Sequence, residues 1–148
     1  MKKFAALLFS LSTLAAVAAG PYDGIYQHPT RTSNYASVHQ NGNSLIIALF
    51  DTMPASGVRM STESGAVMPT RFDFWDLYQG AINGNLATMS GQTAFGGCVS
   101  TFALVFDAAG HATATFTSVT ATALGTAQGL NCASGTAVGS SLAYTKVF

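Results

Sequence analysis

Beyond residue 20 the hydrophobic and polar positions repeat mostly with a period of two, the signature of β-strands with one face in and one face out. Tyr35, Ser37 and His39 alternate with Ala36, Val38 and Gln40, then Asn41-Gly42-Asn43 intervenes, and Ser44 to Phe50 is almost wholly apolar. An Asn-Gly between two such runs predicts a hairpin, because the central residues of the favoured turn take positive φ. The run Leu45-Ile46-Ile47-Ala48-Leu49-Phe50 has no polar position. It is expected to be buried on both faces or covered by a neighbour, at the centre of the core.

Asn83-Gly84-Asn85 repeats the device between Trp75–Ile82 and Leu86–Met89. A helix competes over 71–82, since Phe74, Leu77, Tyr78 and Ala81 fall at helical spacing and Thr70 with Asp73 forms a capping pair. Gly80 inside the run and the Asn-Gly at its end favour a strand. A third hairpin runs from Val99 to Phe106, turns through Asp107-Ala108-Ala109-Gly110 and returns from His111 to Thr122. Its Asp start and Gly end suit a type I turn closed by a left-handed residue. Ala112, Ala114 and Phe116 alternate there with Thr113, Thr115 and Thr117, which predicts a half-buried strand with a wet, hydroxyl-coated outer face.

Gly125, Gly129, Gly135 and Gly139 mark a loose stretch after Ala123, and Ser141 to Phe148 resumes the alternation as a last strand. With Asp23 to Gln27 as the first strand the count is about eight. Sequential strands on tight turns form an antiparallel up-and-down meander, and closure removes its exposed edges. The expected fold is all-β, an eight-strand closed barrel or a strongly curled sheet. Arg59 to Thr70 fits no strand and reads as a long loop, a candidate lid over one mouth.

The first residues change the compartment. Lys2-Lys3, an apolar run from Phe4 to Leu14 and Ala15-Ala16-Val17-Ala18-Ala19 have the three parts of a cleavable signal peptide. The apolar run is shorter than the ~20 residues of a membrane-spanning helix, so no membrane anchor is expected. Residues 1–19 are assigned to the signal and 20–148 to one domain, placed in the periplasm or outside the cell. Cys98 and Cys132, the only cysteines, are expected to be bridged there.

Charge is sparse. Arg31, Arg59, Arg71 and Lys146 stand against Asp23, Asp51, Glu63, Asp73, Asp76 and Asp107 beyond the signal, with no run of either sign. Phosphate backbones and anionic membranes both require clustered Lys and Arg, which this chain lacks. Nucleic acid is therefore not an expected partner.

Candidate chemistry is thin. His28, His39 and His111 lie apart from one another and from the cysteines, so no metal-ligand spacing appears. No GxSxG, SxxK, HExxH or phosphate-cradling loop is present, and neither a catalytic signature nor a cofactor motif emerges. Asp73 and Asp76 would point to opposite faces of a strand, which does not suit a paired acid and base. The densest aromatic cluster is Phe72, Phe74, Trp75 and Tyr78. It is the candidate lining of a site for a small apolar or aromatic ligand, against the reading that these rings plug the barrel.

Gly24-Ile25-Tyr26 and Tyr35-Ala36-Ser37-Val38-His39-Gln40-Asn41-Gly42-Asn43-Ser44-Leu45-Ile46 resemble the opening of small uncharacterised exported proteins of Gram-negative bacteria. That resemblance spans about the first quarter of the exported part and implies export without implying an activity. The general plan is also similar to lipocalin and avidin-type barrels. Gly24-Ile25-Tyr26 departs from the lipocalin Gly-x-Trp, and the several tryptophans of a biotin pocket are missing, so no functional residue carries over.

Three functional readings remain, the first two being a carrier of a small molecule and a structural or protein-interaction module of the envelope. An outer-membrane barrel is a third. Leu142, Tyr144 and terminal Phe148 share its expected face, but Lys146 breaks the alternation and the early strands are short of the ~9–11 residues that cross a bilayer.

Overall fold

The computed structural model describes residues 19–54, 71–93, 96–132 and 137–148, with the main chain alone for 52–54 and 71–74. Most of the segment assigned to the signal, and the Arg59–Thr70 loop, lie outside the described residues.

Eight antiparallel strands close in chain order into a barrel: β1 Gly24–Gln27, β2 Tyr35–Asn41, β3 Ser44–Pro54, β4 Arg71–Asn83, β5 Leu86–Thr93, β6 Cys98–Phe106, β7 His111–Ala121 and β8 Ser141–Lys146. The seam joins the first strand to the last, with Tyr26 opposite Lys146 and Gln27 opposite Thr145. Residues 71–83 are strand, in register with β3 along their first eleven positions. Local helical spacing there yields to the two ladders that β4 makes with its neighbours.

The hairpins fall at Asn41-Gly42-Asn43 and Asn83-Gly84-Asn85, one residue out from the expected turn centre. Asn41 pairs with Ser44 and Asn83 with Leu86, so the central residues are Gly42-Asn43 and Gly84-Asn85. Gly42 and Gly84 have φ of 57° and 59°, and no described non-glycine residue has positive φ. Glycine thus takes the first central position, as in a II′ turn, and the asparagines avoid the left-handed region. At the third hairpin Asp107 holds the turn through Ala109 N–H and His111 N–H, 2.9 and 2.8 Å from its Oδ1.

Strand alternation fills the inside. Tyr26, Val38, Leu45, Ile47, Tyr78, Met89, Phe102, Leu104, Phe106 and Phe116 belong to one buried cluster. The β3 run is not buried on both faces: Leu45 and Ile47 are inside, whereas Ile46 is 50% and Phe50 47% exposed. A single-walled barrel has one interior, so a strand apolar on both faces must show one of them to solvent.

The two ends differ. At the tight-turn end Tyr22 stacks on Phe106 with ring centroids 4.3 Å apart. Asp23 accepts from the main-chain N–H of both Gly20 and Gln40, and residues 20–26 close that end. At the other end residues 122–132 are more ordered than their glycines imply. Ala123–Ala127 forms helix α1, with Thr122 as N-cap accepting from Gly125 N–H at 3.1 Å. Cys98 and Cys132 are bridged, their Cα atoms 5.7 Å apart, which ties the α1 loop to the start of β6. The last strand ends at Lys146, and Phe148 is 86% exposed.

Two glycines face large interior side chains across one ladder: Gly80 opposite Met89, and Gly91 opposite Tyr78. A Cβ on Gly91 would overlap the Leu77 carbonyl oxygen and the Tyr78 ring. Gly91→Ala is therefore expected to destabilise the protein by about 2 kcal/mol or more, read as a fall in urea midpoint. Replacing both cysteines with serine releases a loop of 34-residue separation and should cost roughly 3–4 kcal/mol in the loop-entropy description, read the same way without reductant.

Candidate functional site

The inside of the barrel is nearly full. The void between Leu49, Tyr78, Phe102, Leu142 and Tyr144 has a volume of about 40 Å³ and apolar walls. A water needs ~10–15 Å³ on such a measure, whereas ligand pockets run ~300–1,000 Å³. Facing aromatic rings take up much of the space, Tyr78 against Phe102 at 4.9 Å and Phe102 against Phe116 at 5.6 Å between centroids.

Above this core, toward the long-loop end, lies a polar layer. Asn34, Asp51, Asp76 and Ser100 are all buried. Asn34 Nδ2 donates to Asp51 Oδ2 at 2.7 Å, and Arg31 Nη1 reaches the same oxygen at 3.4 Å. These contacts tie the β1–β2 loop to the wall of β3. Ser100 Oγ donates to the Tyr78 hydroxyl at 3.2 Å, which in turn donates to Asp76 Oδ2 at 3.4 Å. The buried Tyr144 hydroxyl lies near Asn34 but makes no hydrogen bond of normal geometry.

Burial is the leading reason that the phenols of Tyr26, Tyr78 and Tyr144 are each pushed up to about 12. All three are neutral at ordinary pH, and the hydroxyls of Tyr26 and Tyr78 are hydrogen-bonded. Among the described residues no three His, Cys, Asp or Glu side chains converge on one point. The polar layer acts as internal bracing of the mouth.

Of the four aromatic residues singled out in the sequence, Trp75 and Tyr78 lie on opposite faces of β4. Tyr78 is buried in the interior, and Trp75 is 53% exposed on the outer wall. An odd separation along a strand puts two side chains on opposite faces. Phe72 and Phe74 lie on β4 opposite Met53 and Asp51, and their side chains are outside the described part of the structure.

Trp75 instead belongs to an arrangement assembled from three strands. The ladders place Tyr35 opposite Phe50, and Phe50 opposite Trp75. These three outward aromatic residues form a row across β2, β3 and β4, exposed by 37%, 47% and 53%. The next outward row runs Ser37, Ala48, Leu77, Gln92, and the next His39, Ile46, Gln79, Ser90. Beside Trp75 opens a groove of about 480 Å³, lined by Ile46, Leu77, Gln79, Ser90 and Gln92 among others.

No Lys, Arg, Asp or Glu occupies any of these outward positions. The wall on the other side of the barrel is of another kind, with Thr113, Thr115, Ser141 and Thr145 facing outward and the Thr115 and Ser141 hydroxyls 2.8 Å apart. Tyr35, Phe50 and Trp75 are thus gathered on one side, while Phe148 is exposed beyond the end of β8. The signal for this was in the β3 run: an apolar residue at every position, in a fold with no second layer, marks an exposed apolar wall.

The buried phenols set the alkaline stability. A tyrosine whose pKa is raised on folding keeps its proton in the native state while the unfolded chain loses it. Stability is therefore complete below about pH 10 and falls as pH rises toward about 12. Urea denaturation at stepped pH is expected to show that fall, steeper than one proton can give. Tyr144→Phe should lessen the slope while changing stability at pH 7 by less than about 1 kcal/mol, because its hydroxyl has no hydrogen bond to lose.

No protein-family model, no curated protein and no solved structure matches this chain.

Proposed function

We propose that this protein is an exported binding module of the cell envelope or exterior, and that it works through the outer wall around Trp75. The observation that carries this reading is the row Tyr35, Phe50 and Trp75, three aromatic residues exposed side by side on the outer face of the sheet. Water disfavours such a surface, and contiguous exposed apolar patches mark interaction sites. The nearly filled interior supports the same reading, because a void of about 40 Å³ is too small for an aromatic guest.

Export accords with the Cys98–Cys132 bridge and with the signal-like start of the chain. No helix among the described residues is long and apolar enough to cross a membrane. A lipid-embedded barrel needs an apolar band around its whole circumference. The hydroxyl-bearing β7 and β8 interrupt any such band, which favours a water-soluble barrel with one adhesive side.

The test is co-sedimentation of the disulfide-bonded protein with the envelope fraction of the cells that make it. Trp75→Ser combined with Leu77→Ser is expected to weaken association at least tenfold, since aromatic anchors at the centre of an interface commonly carry ~2 kcal/mol or more each. A control pair on the opposite wall, Thr113→Ala with Thr115→Ala, should bind as the unaltered protein does. Equal binding by all three proteins, each with an unchanged melting temperature, would remove this wall from consideration.

A further inference from the structure

We propose that His28 is a pH-sensitive latch: while neutral it holds the β1–β2 loop against the seam side of the mouth, and protonation of its ring releases residues 28–33 from the rim. The device is separate from the wall around Trp75 and does not depend on it.

The seam leaves a stretch of strand for the loop to cover. β1 meets β8 at only two register pairs, ending with Gln27 opposite Thr145, while β8 runs on beside β7 as far as Ser141 opposite Thr115. From Ser141 to Tyr144, no described strand lies beside β8 on its β1 side. The loop after β1 stands there instead. The His28 ring meets the Tyr144 ring edge-on, with centroids 5.7 Å apart and planes at 90°, and Tyr144 together with Leu142 and Leu49 walls the small apolar void.

One ring nitrogen sets the shape of the loop. His28 Nδ1 accepts from the main-chain N–H of Thr30 at 3.3 Å and of Arg31 at 3.2 Å, with the Thr30 hydroxyl 3.4 Å away. An Asp or Asn side chain starts a turn in the same way; here an imidazole does so. A nitrogen that accepts from N–H groups presents a lone pair, so these bonds assign the ring proton to Nε2. Two main-chain bonds complete the loop, His28 N–H to Asn34 O at 3.0 Å and Asn34 N–H to Arg31 O at 2.9 Å. Arg31 and Asn34 then reach Asp51 on β3. The contacts that brace the mouth are thus positioned by a loop whose geometry begins at Nδ1.

Protonation removes the acceptor. Both nitrogens of an imidazolium are donors, so a proton on Nδ1 would point at two N–H groups, and turning the ring over brings another N–H to the same place. Among the described residues, the charged groups around the ring are Arg31 on its own loop, which opposes a second positive charge, and Asp51 on β3, which favours one. From β8 the facing titratable group is Tyr144, a neutral phenol. Desolvation, with Arg31 next, holds the His28 pKa below its ordinary value of 6.5. The released loop therefore binds the proton more tightly than the latched one, so the latch is complete above about pH 6.5 and weakens as pH falls below it.

Amide exchange of the intact, disulfide-bonded protein, followed by NMR at about pH 7.5 and about pH 5, tests this through protection factors, from which the intrinsic pH dependence of exchange is divided out. Protection of the His28 and Asn34 main-chain N–H groups is expected to fall tenfold or more between the two conditions, within a limit of about thirtyfold that a released pKa of 6.5 allows at pH 5. Amides of β6 and β7 are expected to keep their protection. His28→Asn offers a side-chain oxygen to the same two N–H groups without taking up a proton, and should hold its protection at both pH values, whereas His28→Ala should be equally loose at both. Unchanged protection in the unaltered protein overturns the latch, and so does an equal acid loss in His28→Asn, which would assign the effect to a carboxylate. If His28→Asn is loose throughout, the unaltered protein decides: its loss of protection must share the midpoint of its own His28 ring signals, and a different midpoint overturns the proposal.

Discussion

Closure of eight strands into one wall sets the inside volume, and every other feature follows from how that volume is filled. Each strand contributes only alternate residues to the interior, so half of the barrel's side chains must face outward. Phe102, Phe116, Tyr78 and Tyr26 occupy the space, and room for them comes from placing glycine across the ladder from a large neighbour, Gly91 from Tyr78 and Gly80 from Met89. Where a Cβ would collide with a carbonyl oxygen, glycine is needed for its lack of bulk. The near absence of empty space and the exposure of Ile46, Phe50 and Leu77 are two consequences of one geometry.

The ends of the barrel divide two tasks. One is sealed by short turns and by Tyr22, Asp23 and Tyr26. The other carries the longer connections and is braced from inside by hydrogen bonds from Asn34 to Asp51 and from Ser100 to Tyr78. Burying these groups is tolerable because most of their polar atoms are paired. The disulfide and the Thr122 cap hold the β7–β8 connection against β6, with Thr122 Oγ1 also donating to Gly96 O at 2.8 Å. This bracing holds the described connections at that end against the barrel wall.

Much of the fold was legible in the sequence because its signals are local. Asn-Gly pairs, the Asp107-to-Gly110 turn and the Ala/Thr alternation of β7 each act within a few residues, and together they dictate a meander of about eight strands. The strand at 71–83 required weighing Gly80 against helical spacing, and the ladders to β3 and β5 settle it. What was not legible depends on pairs distant in the chain. Asn34 and Asp51 meet only across β2 and β3, and the row of Tyr35, Phe50 and Trp75 exists only once two registers are fixed. Grouping Trp75 with Tyr78 failed for a simpler reason: neighbours in sequence on a strand are not neighbours in space when their separation is odd. Helix α1 escaped notice because glycine within and after it masked the Thr122 cap.

The filled interior and the exposed aromatic wall are coupled energetically. A surface pays less on binding when its side chains and backbone are already held in place. Phe50 and Trp75 are anchored through strands whose opposite faces carry Leu45, Ile47, Tyr78 and Ile82, each within the packed core. A hollow barrel of the same topology would let β3 and β4 flex, and the aromatic row would lose alignment at each strand-to-strand step. The side chains that fill the inside therefore also stiffen the outside.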